Sequence, residues 1–191
     1  MENNADRIMS LCEKPMLVRH DMEGLMRDSC CCAADAQGGA GARTRCPACK
    51  GTGKKVPVIT LKSLLVPEAL SRLDPQADHH MCTNRECDVV YFNHHGSLYK
   101  ISELKVPVFQ KSDDGDCPVC YCFGWTRNRI RREIEETGKS SAISVISEHV
   151  KAGRCGCEAN NPQGSCCLGN VRKVVSKYLK DKPENLTPGC G

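Results

Sequence analysis

Sixteen of the 191 residues are cysteine, and their spacing sorts most of them into two groups that could do chemistry. The first is Cys46-Pro-Ala-Cys49-Lys-Gly51-Thr-Gly53, answered further along by Cys82 and Cys87. A CxxC followed by glycine turns both sulfurs toward one ion and lets backbone amides approach them. Cys46, Cys49, Cys82 and Cys87 are therefore expected to bind Zn²⁺. The competing donors are His79 and His80, just before Cys82, and His94 and His95 after it, with His80 in place of one thiolate as the alternative set. Otherwise both histidine pairs are expected in solvated loops. No carboxylate is placed to act as general base beside an open metal position, so a closed, structural site is expected.

The second group opens at Cys117-Pro-Val-Cys120-Tyr-Cys122-Phe-Gly124 and closes at Cys155-Gly-Cys157 and Cys166-Cys167. Four thiolates are the ligand set of a [2Fe-2S] centre, and a CxC with a distant pair is one way to supply them. In an extended turn Cys120 and Cys122 can both point at one iron, and Gly124 permits the backbone to curl. The distant pair comes from Cys155, Cys157, Cys166 and Cys167, and spacing does not choose among them. Asn161, Pro162 and Gly164 mark the turn that folds one late pair onto the other.

These thiols need elements to position them. Strand Lys55–Thr60 and helix Leu61–Leu73 are expected between the first cysteine pairs, with Thr60 as helix cap and Pro67 as a break. Asp88 to Phe92 and Leu98 to Ile101 read as a hairpin turning at Asn93-His-His-Gly, with Val106 to Phe109 as a third, edge strand despite Pro107. Tyr91, Phe92, Tyr99 and Phe109 are core candidates. Between the later cysteines, Thr126 caps a helix that runs to Thr137 and stops at Gly138. A second helix begins at Ser140 or Ser141, aligns Ile143, Ile146 and Val150, and stops at Gly153. A third, Leu168–Lys180, would direct its amino-terminal dipole at a cluster bound near Cys167. Arg127, Arg129, Arg131 and Arg132 would tune the cluster, dock an acidic partner, or simply form a solvated face.

The expected fold class is α+β: a small metal-nucleated, β-rich zinc module over 46–110, then a helical [2Fe-2S]-binding module over 117–180. Residues 1–45 read as a flexible leader and 181–191 as a polar tail. Cys30, Cys31 and Cys32 sit beside a glycine- and alanine-rich stretch, where they would capture a soft ion such as Cu(I) or be incidental. The leader is also read as carrying an amphipathic turn over Leu17–Met26, with Met22 and Met26 as alternative starts. Cys190 is read as incidental or as a further soft-metal contact.

With one Trp, four Tyr and three Phe, a single large packed core is not expected. No hydrophobic signal region opens the chain, so reduced thiols in the cytoplasm, and metals rather than disulfides, are expected. No apolar run approaches a membrane span. The formal charge of +4 is offset by about −2 for each tetrathiolate centre, which makes the basic pI a poor argument for nucleic acid.

The later half resembles the cluster region of the bacterioferritin-associated ferredoxin class. More closely, Cys-Pro-Val-Cys-Tyr-Cys with Cys157-Glu-Ala-Asn-Asn-Pro162-Gln-Gly164-Ser-Cys166-Cys167, and Cys87-Asp-Val-Val-Tyr-Phe before them, resemble the amino-terminal domain of CopZ copper chaperones, over roughly residues 46–170. The resemblance implies one domain carrying a mononuclear zinc and a [2Fe-2S] cluster, with Cys120, Cys122, Cys157 and Cys167 as cluster ligands. Full-length CopZ proteins of this type continue into a heavy-metal-associated domain with an MxCxxC copper loop, and nothing after residue 170 is expected to form one. This leaves the redox half: single-electron transfer, reduction of Cu(II) to Cu(I), and Cu(I) held by the spare thiols Cys117, Cys155, Cys166 and Cys30 to Cys32.

The expected role is electron transfer or metal delivery rather than enzymatic catalysis, since no acid/base or nucleophile constellation is evident. The partner would be a copper-handling or redox protein, and an exposed cluster with an edge strand is compatible with a homodimer. The competing function is a redox-silent zinc-ribbon module binding protein or nucleic acid. A thiol oxidoreductase built on Cys46 and Cys49 is weaker, because no thioredoxin-like pattern surrounds them.

Overall fold

The computed structural model describes residues 44–181. The chain enters through strand β1 (Gly53–Val56), helix α1 (Val58–Leu64) and the short helix α2 (Pro67–Leu70). Strands β2 (His79–Cys82), β3 (Val89–Asn93) and β4 (Leu98–Lys100) follow. The strands form one antiparallel sheet in the order β1-β2-β3-β4. After two 3₁₀ turns comes a two-stranded ribbon, β5 (Pro118–Cys120) and β6 (Trp125–Thr126). Helices α3 (Arg127–Thr137), α4 (Ala142–Lys151), α5 (Cys157–Asn160) and α6 (Leu168–Lys180) complete the described chain. The architecture is α+β, as expected.

The valines and aromatics of β3 are all buried, in keeping with their preference for a pleated, enclosed surface. An irregularity in the β3–β4 register between Val89 and Tyr91 breaks the alternation of sides. Val90 and Tyr91 therefore share one core with Leu61, Leu65, Met81 and Tyr99, while Val89 and Phe92 pack with Cys46, Cys82 and Cys87. One strand thus joins the apolar core to the first thiol group.

Four expectations need correction here. Thr60 does not cap a helix. Pro57 occupies the cap of α1, and Thr60 lies buried inside the helix. The expected strand Lys55–Thr60 ends at Val56 and its last residues begin α1 at Val58, while Pro67 breaks the helical stretch as expected by starting α2. Val106 to Phe109 is not a strand: Pro107 lacks a ladder donor, and Phe109 starts a 3₁₀ turn with its amide donating to the Tyr121 hydroxyl at 2.9 Å. Finally, His79 and His80 are not in a solvated loop. They form β2, at 1% and 9% exposure.

The helical module matches the reading closely. Thr126 Oγ1 accepts the Arg129 amide at 3.1 Å, and Gly138 takes the left-handed conformation (φ 77) that ends α3. Ile130, Ile134, Ile146, Val171 and Val175 converge with Val119, Cys120 and Trp125 in one core. The strands of the ribbon and the start of α6 thereby bring Cys120 and Cys167 into the same apolar interior.

Candidate metal centres and relatives

The first centre is built from two turns. In the CxxC turn, the Lys50 amide donates to the Cys46 carbonyl and the Cys46 amide to the Gly51 carbonyl, both at 2.8 Å. The Gly51 amide then points at Cys49 Sγ at 3.4 Å. Cys82 ends β2, and Cys87 follows a turn in which Asn84 Oδ1 accepts the Glu86 amide at 3.1 Å. The Sγ atoms of Cys46, Cys49, Cys82 and Cys87 all lie within 4.8 Å of one another. Cys46 to Cys87 is 3.9 Å and Cys49 to Cys82 is 3.5 Å. A tetrahedral zinc with Zn–S near 2.3 Å requires sulfurs about 3.8 Å apart, so this donor set fits the ion.

Electrostatics favour a cation between these sulfurs. The Gly51 amide foremost, opposed by burial and helped by the Asn84 side chain, holds the Cys49 thiol down at about 6. Burial pushes Cys82 up to about 12 and Cys87 upward. Four crowded sulfurs cannot all ionise alone, and a divalent ion removes that conflict.

The thiols converge without any histidine. His79 Nε2 donates to the Asp74 carbonyl at 2.9 Å, and its ring meets Tyr99 edge-on at 6.3 Å. His80 stacks on Phe92 at 5.7 Å, and burial lowers its pKa toward the neutral form. His80 in place of a thiolate is thus not the arrangement found. His94 and His95 are exposed in the β3–β4 turn, as expected.

The second group draws the CxC toward the late cysteines. Cys122 Sγ lies 3.9 Å from Cys157 Sγ. Cys120 and Cys167 are buried in the same core, and the presence of Cys167 lowers the pKa of Cys120 and of Cys157 while its own is raised. Cys167, opposed by burial, holds Cys157 at about 6. Asn160 Nδ2 donates to Cys122 Sγ at 3.6 Å, and the backbone amides of Gly156, Phe123 and Cys167 act to lower the pKa values of Cys122, Cys120 and Cys157 respectively. Two pairs of thiols ringed by N–H donors suit a dinuclear cluster, in which each iron takes two sulfurs and hydrogen bonds moderate the charge.

The remaining thiols differ in access. Cys166 is exposed and Cys155 partly so, whereas Cys117 is buried at 1% exposure and its pKa is pushed up by that burial. Cys117 is therefore not a surface thiol open to an incoming ion. Cys30, Cys31, Cys32 and Cys190, with Leu17–Met26, Met22 and the rest of the leader, lie outside the described residues.

Sequence reasoning missed the short helix α5, too brief for periodicity to reveal. It also left the arginines open. Arg127 stacks on Phe109 at 4.0 Å and donates to the carbonyls of Phe109 and Asp114. Arg129 stacks on Trp125 at 3.8 Å, and Arg131 pairs with Glu135 at 3.7 Å. Their observed contacts are structural. Among the described residues, no helix is long and apolar enough to cross a membrane.

A four-stranded sheet carrying four converged thiols, followed by a helical unit with further cysteines, defines a cysteine-rich, metal-handling α+β protein. Residues 43–105 match the zf_CopZ family model, described as a zinc binding domain. The chain is 32% identical to the copper chaperone CopZ of Archaeoglobus fulgidus over 156 residues, 76% of this chain and 74% of that protein. The X-ray structure of the A. fulgidus CopZ N-terminal domain superposes with a TM-score of 0.57 at 30% identity, covering 69% of this chain and 97% of that one. The chain belongs to the CopZ family.

Proposed function

We propose that this chain is a zinc- and [2Fe-2S]-containing redox protein of copper homeostasis. Cys46, Cys49, Cys82 and Cys87 hold a structural zinc over residues 46–110, and Cys120, Cys122, Cys157 and Cys167 hold the cluster over 117–180. The supporting observation is the second thiol set: Cys122 and Cys157 stand 3.9 Å apart, and Cys120 shares a core with Cys167 at the start of α6. When bound, the cluster supplies one-electron chemistry. The chain's own residues hold it at the α6 amino terminus and surround its sulfurs with N–H donors.

In the balanced reaction Cu(II) gains one electron and becomes Cu(I), while the protein loses that electron and is reduced again by a donor such as a reduced flavoprotein. Cu(I) prefers thiolate, and Cys155 and Cys166 are the accessible sulfurs beside the late ligands. The name of the A. fulgidus relative supports copper as the ion and a copper-handling protein as the partner. The many unpaired thiols support a reducing, cytoplasmic setting.

The test is the visible absorption spectrum of anaerobically purified protein before and after dithionite. Charge-transfer bands that bleach on reduction, with iron and labile sulfide present, are expected. A colourless zinc protein that takes up no iron or sulfide on reconstitution would overturn the redox reading and leave a zinc-only interaction module.

A further inference from the structure

The loop that carries Cys157 and Cys167 is seated on the zinc module. Tyr91, in the middle of β3, is fully buried, and its hydroxyl donates to the Pro162 carbonyl at 2.8 Å. Thr60, buried in α1, donates to the Glu158 carbonyl at 2.5 Å. Gly164 (φ +64) comes so close to α1 that an added Cβ would lie 2.6 Å from Pro57 Cδ and 2.9 Å from Thr60 Oγ1. The three contacts fall along the segment between the two late cysteines.

The seat leads back to the first thiol group. β3 begins two residues after Cys87, and Tyr91 is opposite Met81, next to Cys82, in the β2–β3 register. Lys111 Nζ donates to the carbonyls of Asn84 and Cys87, while the neighbouring Gln110 Nε2 donates to Gln163 Oε1 at 2.8 Å. Sheet and linker both connect the zinc turn to the cluster loop.

We propose that Tyr91 is a positioning residue for the iron–sulfur centre: its buried hydroxyl fixes the backbone that aims Cys157 and Cys167. The zinc module then serves as the platform on which half of the cluster's ligands are set. This rests on the cluster reading above, although the loop seating itself can be read without iron. Removing the hydroxyl leaves the buried Pro162 carbonyl without its partner, and a loss of that size corresponds to about a tenfold change in an equilibrium.

The experiment compares the full wild-type chain with Tyr91→Phe. In the zinc-loaded, iron-free protein, hydrogen exchange at the amides of Asn161 and Gly164, which donate to Cys157 and Asn161 carbonyls, should be about tenfold faster in the variant. Zinc content and helical circular dichroism should be unchanged. In the reconstituted protein, iron should pass to a chelator about tenfold faster. The reduction potential should rise as water reaches the sulfurs, because the reduced cluster carries the larger negative charge.

Unchanged exchange at Asn161 and Gly164 with full zinc would overturn the proposal. So would faster exchange with unaltered iron release and potential. If Tyr91→Phe loses zinc and helical structure, Thr60→Val, which removes one hydroxyl from the same seat, gives the decision: faster exchange with full zinc supports the seating and unchanged exchange overturns it. A wild-type chain that binds no iron refutes the function proposed above, and the exchange measurement still reports on the seat.

Discussion

The Glu133 carboxylate, on α3, accepts the backbone amide of Ser141 at 3.1 Å and so caps α4 from the helix before it. Its oxygens also accept the hydroxyls of Ser141 at 2.6 Å and Ser140 at 2.8 Å. Burial acts to raise its pKa, but these three donors outweigh it and hold the carboxyl below its ordinary value of 4.5. A depressed folded pKa stabilises fully above the unfolded value, and that contribution is lost as pH falls through the folded one. Glu133→Gln should cost about 1 kcal/mol near neutral pH, a modest figure because the group is partly exposed. The deficit relative to wild type should shrink below pH about 4.5, where wild type loses the same charge. Urea unfolding across pH, followed by fluorescence of Trp125, the sole tryptophan, measures it. A deficit that stays constant into acid would refute this cap.

A second test concerns the ends of α3. Thr126→Ala removes the acceptor for the Arg129 amide and should cost about 1 kcal/mol. Gly138→Ala forces a side chain into a left-handed backbone and should cost about the same. The sites are far apart on the helix, so the double variant should show nearly the sum. Denaturant midpoints at fixed metal content give these values, and a neutral Thr126→Ala would mean that the cap is supplied by water.

Both helix ends were legible in the sequence because threonine and glycine signal locally. The first thiol set was legible for the same reason, since its CxxC turn is a local geometry with few alternatives. The cost came where tertiary contacts decide. His79 and His80 read as polar, yet β2 buries them because pairing with β1 and β3 satisfies the backbone, while Tyr99 and Phe92 cover the rings. Cys155, Cys157, Cys166 and Cys167 are equivalent by spacing, whereas in the fold their loop is hydrogen-bonded to Thr60 and Tyr91, with Cys157 and Cys167 buried and Cys166 exposed. That seating joins residues far apart in the chain, and no local pattern announces it.

Zinc removal should act as partial unfolding of the sheet. Cys82 and Cys87 lie at the end of β2 and just before β3, so without the ion the sheet loses the clamp between those strands. Zinc binding to small sites contributes about 10 kcal/mol or more to folding, far beyond what the neighbouring apolar cluster of Val89 and Phe92 supplies. A strong chelator, or Cys82→Ser, should abolish amide protection in β2 and β3 while α3 and α6 keep part of theirs. Hydrogen exchange resolved by segment checks this. Retained protection in β3 after complete zinc loss would show that the sheet stands on its apolar core alone.

The cysteine series discriminates most sharply among ligands. Cys122 and Cys157, 3.9 Å apart, and Cys120 and Cys167, buried in one core, are the sulfurs whose loss should matter to a cluster. Serine at any of these four should cut reconstituted iron severalfold or shift the visible bands, because an alkoxide or water replaces a thiolate at iron. Serine at Cys166, which is exposed, or at Cys155 should leave iron content and band positions unchanged. Those two variants should instead weaken Cu(I) retention against a competing chelator, since they remove accessible soft donors. Cys117→Ser should change neither, because that thiol is buried beside Tyr121 and Arg127. If Cys155→Ser bleaches the protein while Cys157→Ser does not, the loop holds its ligand two residues earlier than proposed here, and Cys157 becomes the spare thiol.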